Sequence, residues 1–114
     1  MMPEQQVLVI PTNGDIYITN IGDKDGRCLE KLQALVGGYI EQVIIQQYDD
    51  DMIGIYVHEE GRLLGLEHNA MAKKMLNVDV VGNVVLYRYN DDKEIYGFLP
   101  GVDDIYLKYA TNYG

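Results

Sequence analysis

The stretch Leu29-Glu30-Lys31-Leu32-Gln33-Ala34-Leu35-Val36-Gly37-Gly38-Tyr39-Ile40-Glu41 decides how this chain folds. Leu29, Leu32, Leu35 and Val36 recur at helical spacing, which predicts a short amphipathic helix over about residues 27–36. Gly37 and Gly38 end it, because glycine takes the positive φ of a helix C-cap at little steric cost. Tyr39 and Ile40 then open a β-branched, aromatic run that reads as a strand to Tyr48. A helix that stops so close to a strand must fold back on the sheet that the strand joins.

Working outward, the rest of the chain supplies that sheet. Val7-Leu8-Val9-Ile10 and Ile16-Tyr17-Ile18-Thr19-Asn20-Ile21 flank an Asn13-Gly14 pair, the signature of a tight hairpin turn. Asp25 is a candidate N-cap for the central helix. Neither face of the strand at residues 39–48 is purely apolar, so it reads as a central strand covered by a helix on one side. After Asp49-Asp50-Asp51, residues 52–58 return as its neighbour, with Ile53, Ile55 and Val57 inward. Leu63-Leu64-Gly65-Leu66 reads as a small strand or an extended lead-in to the next helix. Asn69 caps a second helix over about residues 69–77, with Met71, Met75 and Leu76 as its apolar stripe. Val84-Val85-Leu86-Tyr87-Arg88-Tyr89 is a strand, residues 94–99 pair back on it, and Asp103 opens a candidate C-terminal helix over about residues 103–110. The fold class expected is α+β, a mostly antiparallel sheet with helices packed on it.

With 114 residues, 47% apolar and 24% charged, the chain is expected to form one globular domain, residues 1–114. No apolar run reaches the ~20 residues that cross a bilayer, and the first residues lack the basic and apolar regions of a signal peptide. A cytoplasmic protein is expected, with Cys28, the single cysteine, reduced and packed in the core. A net charge of -9 disfavours direct nucleic-acid or anionic-membrane binding and suits a basic protein partner. The same charge also serves solubility.

The chemistry-bearing residues form no catalytic constellation, and no metal or cofactor is implied. The Asp49-Asp50-Asp51 run reads as a solvated turn, since three adjacent carboxylates cannot converge on one ion. His58, Glu59, Glu60, Glu67 and His68 have atoms suited to metal or acid–base work, but not the His-Glu-x-x-His spacing that a helix would align. His68 reads as a surface or helix-capping residue. Gly37-Gly38 follows a helix instead of preceding one, so it is no phosphate loop. Tyrosine dominates the aromatic residues, ten against one phenylalanine. Tyr87, Tyr89 and Tyr96 are expected to pack the terminal helix onto the sheet, their hydroxyls left in water. Tyr106, Tyr109 and Tyr113 suit an interface, because tyrosine joins apolar area to a polar tip.

Together these pieces resemble a small family of phages, plasmids, their bacterial hosts and large algal viruses, catalogued as a domain of unknown function (DUF 3846). The residues that carry the resemblance are Val7-Leu8-Val9-Ile10-Pro11, the Leu32-to-Glu41 core, and Tyr56-Val57-His58-Glu59-Glu60-Gly61-Arg62-Leu63-Leu64-Gly65-Leu66. Asn69, Ala72 and Gly82-Asn83-Val84-Val85 complete it. It spans about residues 5–87, and residues 90–114 look like a C-terminal extension. The resemblance implies a viral or mobile-element setting, hence a host cytoplasm, and transfers no activity.

The expected function is therefore a non-catalytic, acidic accessory protein that acts by binding a protein partner or a second copy of itself, as a host or defence modulator. The alternative is a sponge that holds a nucleotide-like molecule in a tyrosine-lined pocket, with Arg62 and Arg88 on its phosphates. A weaker alternative is DNA mimicry by spaced carboxylates. A helix at residues 103–110 is shorter than the ~12–15 residues at which an isolated helix becomes tolerable, so it must dock. Size-exclusion with light scattering on the full chain and on a chain ending at Pro100 tests this. Loss of self-association in the still-folded shorter chain is the expected outcome; unchanged assembly refutes an interface role for Tyr106, Tyr109 and Tyr113.

Overall fold

The computed structural model describes residues 5–22, 28–48, 51–90 and 95–96. Asp25, the candidate C-terminal helix, and Tyr106, Tyr109 and Tyr113 lie outside them. The described chain is α+β, in the order β1 (Gln5–Ile10), β2 (Tyr17–Gly22), α1 (Cys28–Val36), β3 (Ile40–Tyr48), β4 (Asp51–His58), α2 (Ala70–Leu76), β5 (Val84–Asn90) and β6 (Ile95–Tyr96). Five strands form an antiparallel sheet in the order β2-β1-β5-β4-β3, and β6 pairs with the far end of β5.

The central strands are apolar on both faces because both faces are covered. Val7, Val9, Tyr56, Val85 and Tyr87 point to one side, where Leu32 and Val36 of α1 and Ile21 of β2 meet them. Leu8, Ile10, Ile53, Ile55, Val57, Val84 and Leu86 point to the other, under Ala72 and Met75 of α2. The period of two along each strand thus separates two cores. Each buried aliphatic side chain contributes roughly 1.5–3 kcal/mol.

The helix end is where the glycine pair predicts it. Gly37 has φ 88°, and the Gly37 and Gly38 amides donate to the Gln33 carbonyl at 2.8 and 3.0 Å. Burial of α1 is narrower than its spacing suggests. Leu32 and Val36 are buried, whereas Leu29 in the first turn is 54% exposed.

Four expectations change. Among the described residues β3 is an edge strand, not a central one: Glu41, Gln42 and Ile44 are exposed, which explains its mixed faces. Residues 63–65 form a turn instead of a strand, tied by the Leu64 amide to the Glu60 carbonyl (2.9 Å) and the Leu66 amide to the Gly61 carbonyl (2.9 Å). In the first hairpin only Gly14 has positive φ, so the Asn13-Gly14 pair is not a two-residue tight turn. The Gly14 amide instead reaches the Pro11 carbonyl at 3.0 Å. Tyr87 is buried under α1, stacked on Tyr56 at 4.6 Å. Its ring lies over Gly54 on the neighbouring strand, and its hydroxyl accepts from Gln42 Nε2 instead of water.

Asn69 joins these layers. Its side chain is fully buried. Nδ2 donates to the carbonyls of Ile10 (2.7 Å) and Gly82 (2.9 Å), while Oδ1 accepts the Ala72 amide (2.9 Å) as an N-cap. Asn69→Ala should cost about 3 kcal/mol by stranding three buried partners, which lowers the melting temperature by upwards of about 10 °C. Asn69→Asp separates the two roles, since aspartate caps well but donates nothing to the two carbonyls. It should be at least as destabilising as alanine in thermal unfolding. An aspartate variant as stable as the native chain would reduce Asn69 to a helix cap.

Candidate functional site

An open cleft of about 600 Å³ lies between the β3–β4 end of the sheet and residues 78–81. Two walls meet there because separate contacts hold them. Residues 66–69 and 80–82 run antiparallel: the Asn69 amide donates to the Val80 carbonyl (2.9 Å), the Gly82 amide donates to the Glu67 carbonyl (2.7 Å), and His68 bridges Val81. Arg62 Nη2 donates to the Asp79 carbonyl at 2.8 Å and pins the segment to the following turn. On the sheet side, the Glu59 amide donates to the Tyr39 carbonyl at 2.8 Å and fixes the turn that leaves β4.

Valine side chains make the cleft apolar within, with Val43, Val57, Val78 and Val80 all packed on the α2-side core. Its rim is acidic. Glu41, Glu59, Glu60 and Asp79 line it against one guanidinium, that of Arg62. These carboxylates are exposed, so they act as a solvated field more than as fixed ion pairs. Asp79 is partly offset by Lys73 Nζ at 3.4 Å, and His68 Nε2 lies 3.7 Å from it.

The turn at the cleft mouth presents two leucines to solvent, Leu63 at 84% exposure and Leu64 at 58%. Gly65, at φ 69°, closes the turn, with its amide on the Arg62 carbonyl at 3.2 Å. Leu66 points the other way, against Gly61 and Gly82.

The histidine–glutamate cluster divides among different partners. His58 packs its ring against Gly38, where a Cβ would overlap it, and its Nδ1 accepts the Glu60 amide at 3.0 Å. That bond uses the Nδ1 lone pair as its acceptor. His68 is an exposed surface residue beside Asp79, and Glu67 lines a separate, smaller recess with Thr12 and Asn83. Among the described residues, no group of three or more His, Cys, Asp or Glu side chains could hold a metal ion. Cys28 is the first residue of α1.

Of the residues expected to bind, Arg62 lines the cleft. Arg88 is half-buried on β5, opposite Ile53, and does not line it. Sequence reading missed Leu63 and Leu64 as exposed residues and Asp79 as a rim residue. The signal for the leucines was their position between Gly61 and Gly65, which is turn chemistry despite the apolar composition.

Gly38→Ala should push the His58 ring out of place and cost about 1–3 kcal/mol by overpacking. Adding His58→Ala should recover most of that loss in thermal unfolding. A Gly38→Ala chain that melts like the native one would show that the ring does not depend on the missing Cβ.

Among the described residues, no helix is long and apolar enough to cross a membrane. A family model described as Domain of unknown function (DUF3846) matches residues 5–109. The match runs past residue 87 and takes in much of the segment that the resemblance had left as an extension. No curated protein and no solved structure matches the chain. Since the family model covers nearly all of it, the chain belongs to the family of the domain of unknown function DUF3846.

Proposed function

We propose that this chain is an acidic accessory protein of viral or mobile-element type that works by binding a protein, with Leu63 and Leu64 as the contact. One observation carries this proposal: two adjacent leucines stand in solvent on a turn closed by its own backbone hydrogen bonds. A lone exposed leucine is ordinary. Two together on a braced turn offer apolar area whose ordering cost is already met, as a binding anchor requires. The acidic rim beside them selects a basic partner surface and speeds its encounter. The same rim disfavours an anionic, nucleotide-like occupant of the cleft, because four carboxylates face one guanidinium.

Leu63→Ser with Leu64→Ser should leave stability within about 0.5 kcal/mol, since both side chains are exposed. Affinity capture with quantitative mass spectrometry should then show a set of proteins held by the native chain and lost by the variant. The same set on both baits would refute the leucine contact.

A further inference from the structure

We propose that the cleft takes an extended, cationic segment of the partner protein, added as a strand along residues 40–44 of β3. Its basic side chain lies against Glu41, and an aliphatic side chain two positions away lies against Val43. This rests on the protein-binding proposal above and adds the form and chemistry of the occupant.

Three observations meet here. β3 ends the strand order, so among the described residues nothing pairs with its outer edge. Such an edge presents a row of backbone donors and acceptors that an extended peptide can join. Pairing of β3 with β4 is regular from Ile40 to Ile44 and shifts between Ile44 and Gln46. A bulge bends and twists its strand, so the usable edge is the first half.

That half borders the cleft. Glu41 and Val43 share one pleat face, and both line it. A peptide strand added there therefore sends every second side chain toward the cleft and the others away. The position opposite Glu41 is also near the field of Glu59, Glu60 and Asp79, which selects lysine or arginine. The position opposite Val43 meets valine side chains, which select an aliphatic residue. A second copy of this chain suits the edge poorly. It would bring its own net charge of -9 against this rim.

A labelled heptapeptide, Thr-Lys-Thr-Val-Thr-Lys-Thr, tests this by fluorescence anisotropy with the full chain. Its spacing is the same in both chain directions. Binding is expected, weakened about tenfold or more by Glu41→Lys with Glu59→Lys. Asp15→Lys with Glu30→Lys changes the net charge equally at exposed sites away from the cleft, and should change affinity by no more than about twofold. The same peptide, N-methylated on every backbone amide, keeps its charge but has no backbone N–H left to donate to a strand edge, and should also bind about tenfold more weakly. Equal weakening by the two charge-reversal pairs, or undiminished binding of the N-methylated peptide, overturns the proposal. So does a failure of the native chain to bind. If capture still depends on Leu63 and Leu64 in that case, the protein-binding proposal stands and only the strand addition falls.

Discussion

The buried amide of Asn69 ties the sheet to α2 and to the loop before β5. One side chain holds the last residue of β1 through Ile10, the loop before β5 through Gly82, and the first turn of α2 through Ala72. The asymmetry of a primary amide makes this work. Two N–H groups serve two carbonyls while the oxygen serves an amide, a set that neither aspartate nor serine supplies. An unpaired buried group costs more than a made hydrogen bond gains, so the site enforces one arrangement of three segments. Asn83 adds a second tie, accepting the Thr12 amide at 3.2 Å and donating to the Leu35 carbonyl at 3.3 Å. Asn69, Ala72, Gly82 and Asn83, which carry the family resemblance, thus act in structure.

The cleft inherits its shape from this junction. Its far wall is the segment that Asn69 holds through the Val80 carbonyl and Arg62 holds through the Asp79 carbonyl. Arg62, which the sponge alternative would set on phosphates, donates from its guanidinium to the Asp79 backbone oxygen and braces the segment. The near wall depends on His58, whose ring fills the space left by Gly38 and whose Nδ1 orients the turn at Glu60. Groups with catalytic atoms are therefore used to hold backbone in place.

Legibility followed the range of the interaction. The helix at Leu32 and Val36, its stop at Gly37 and the cap at Asn69 depend on residues a few positions apart, and each could be read directly. Whether a strand is central or at an edge depends on partners elsewhere in the chain. The mixed residues of β3 were compatible with either, and the exposure of Gln42 and Ile44 decided it. Leu63 and Leu64 misled because apolar composition normally means burial, whereas the flanking glycines carried the better local signal. The cleft was not legible at all. Glu41, Val57, Glu60 and Asp79 meet only after the β3–β4 pairing and the Asn69 junction bring distant segments together.

The place of β1 has a consequence for the order of assembly. It precedes the other described strands in the chain, yet it sits inside the sheet, with Leu8 opposite Leu86 and Val9 opposite Val85. Its hairpin with β2 closes locally, but its second edge has no β5 to meet until most of the chain has been synthesised. Such long-range closure makes a slow, non-local step in folding. During translation the hairpin must therefore wait with an apolar strand open on one edge. Nascent-chain solubility, more than the stability of the finished fold, is where a lapse in this sequence would first be felt.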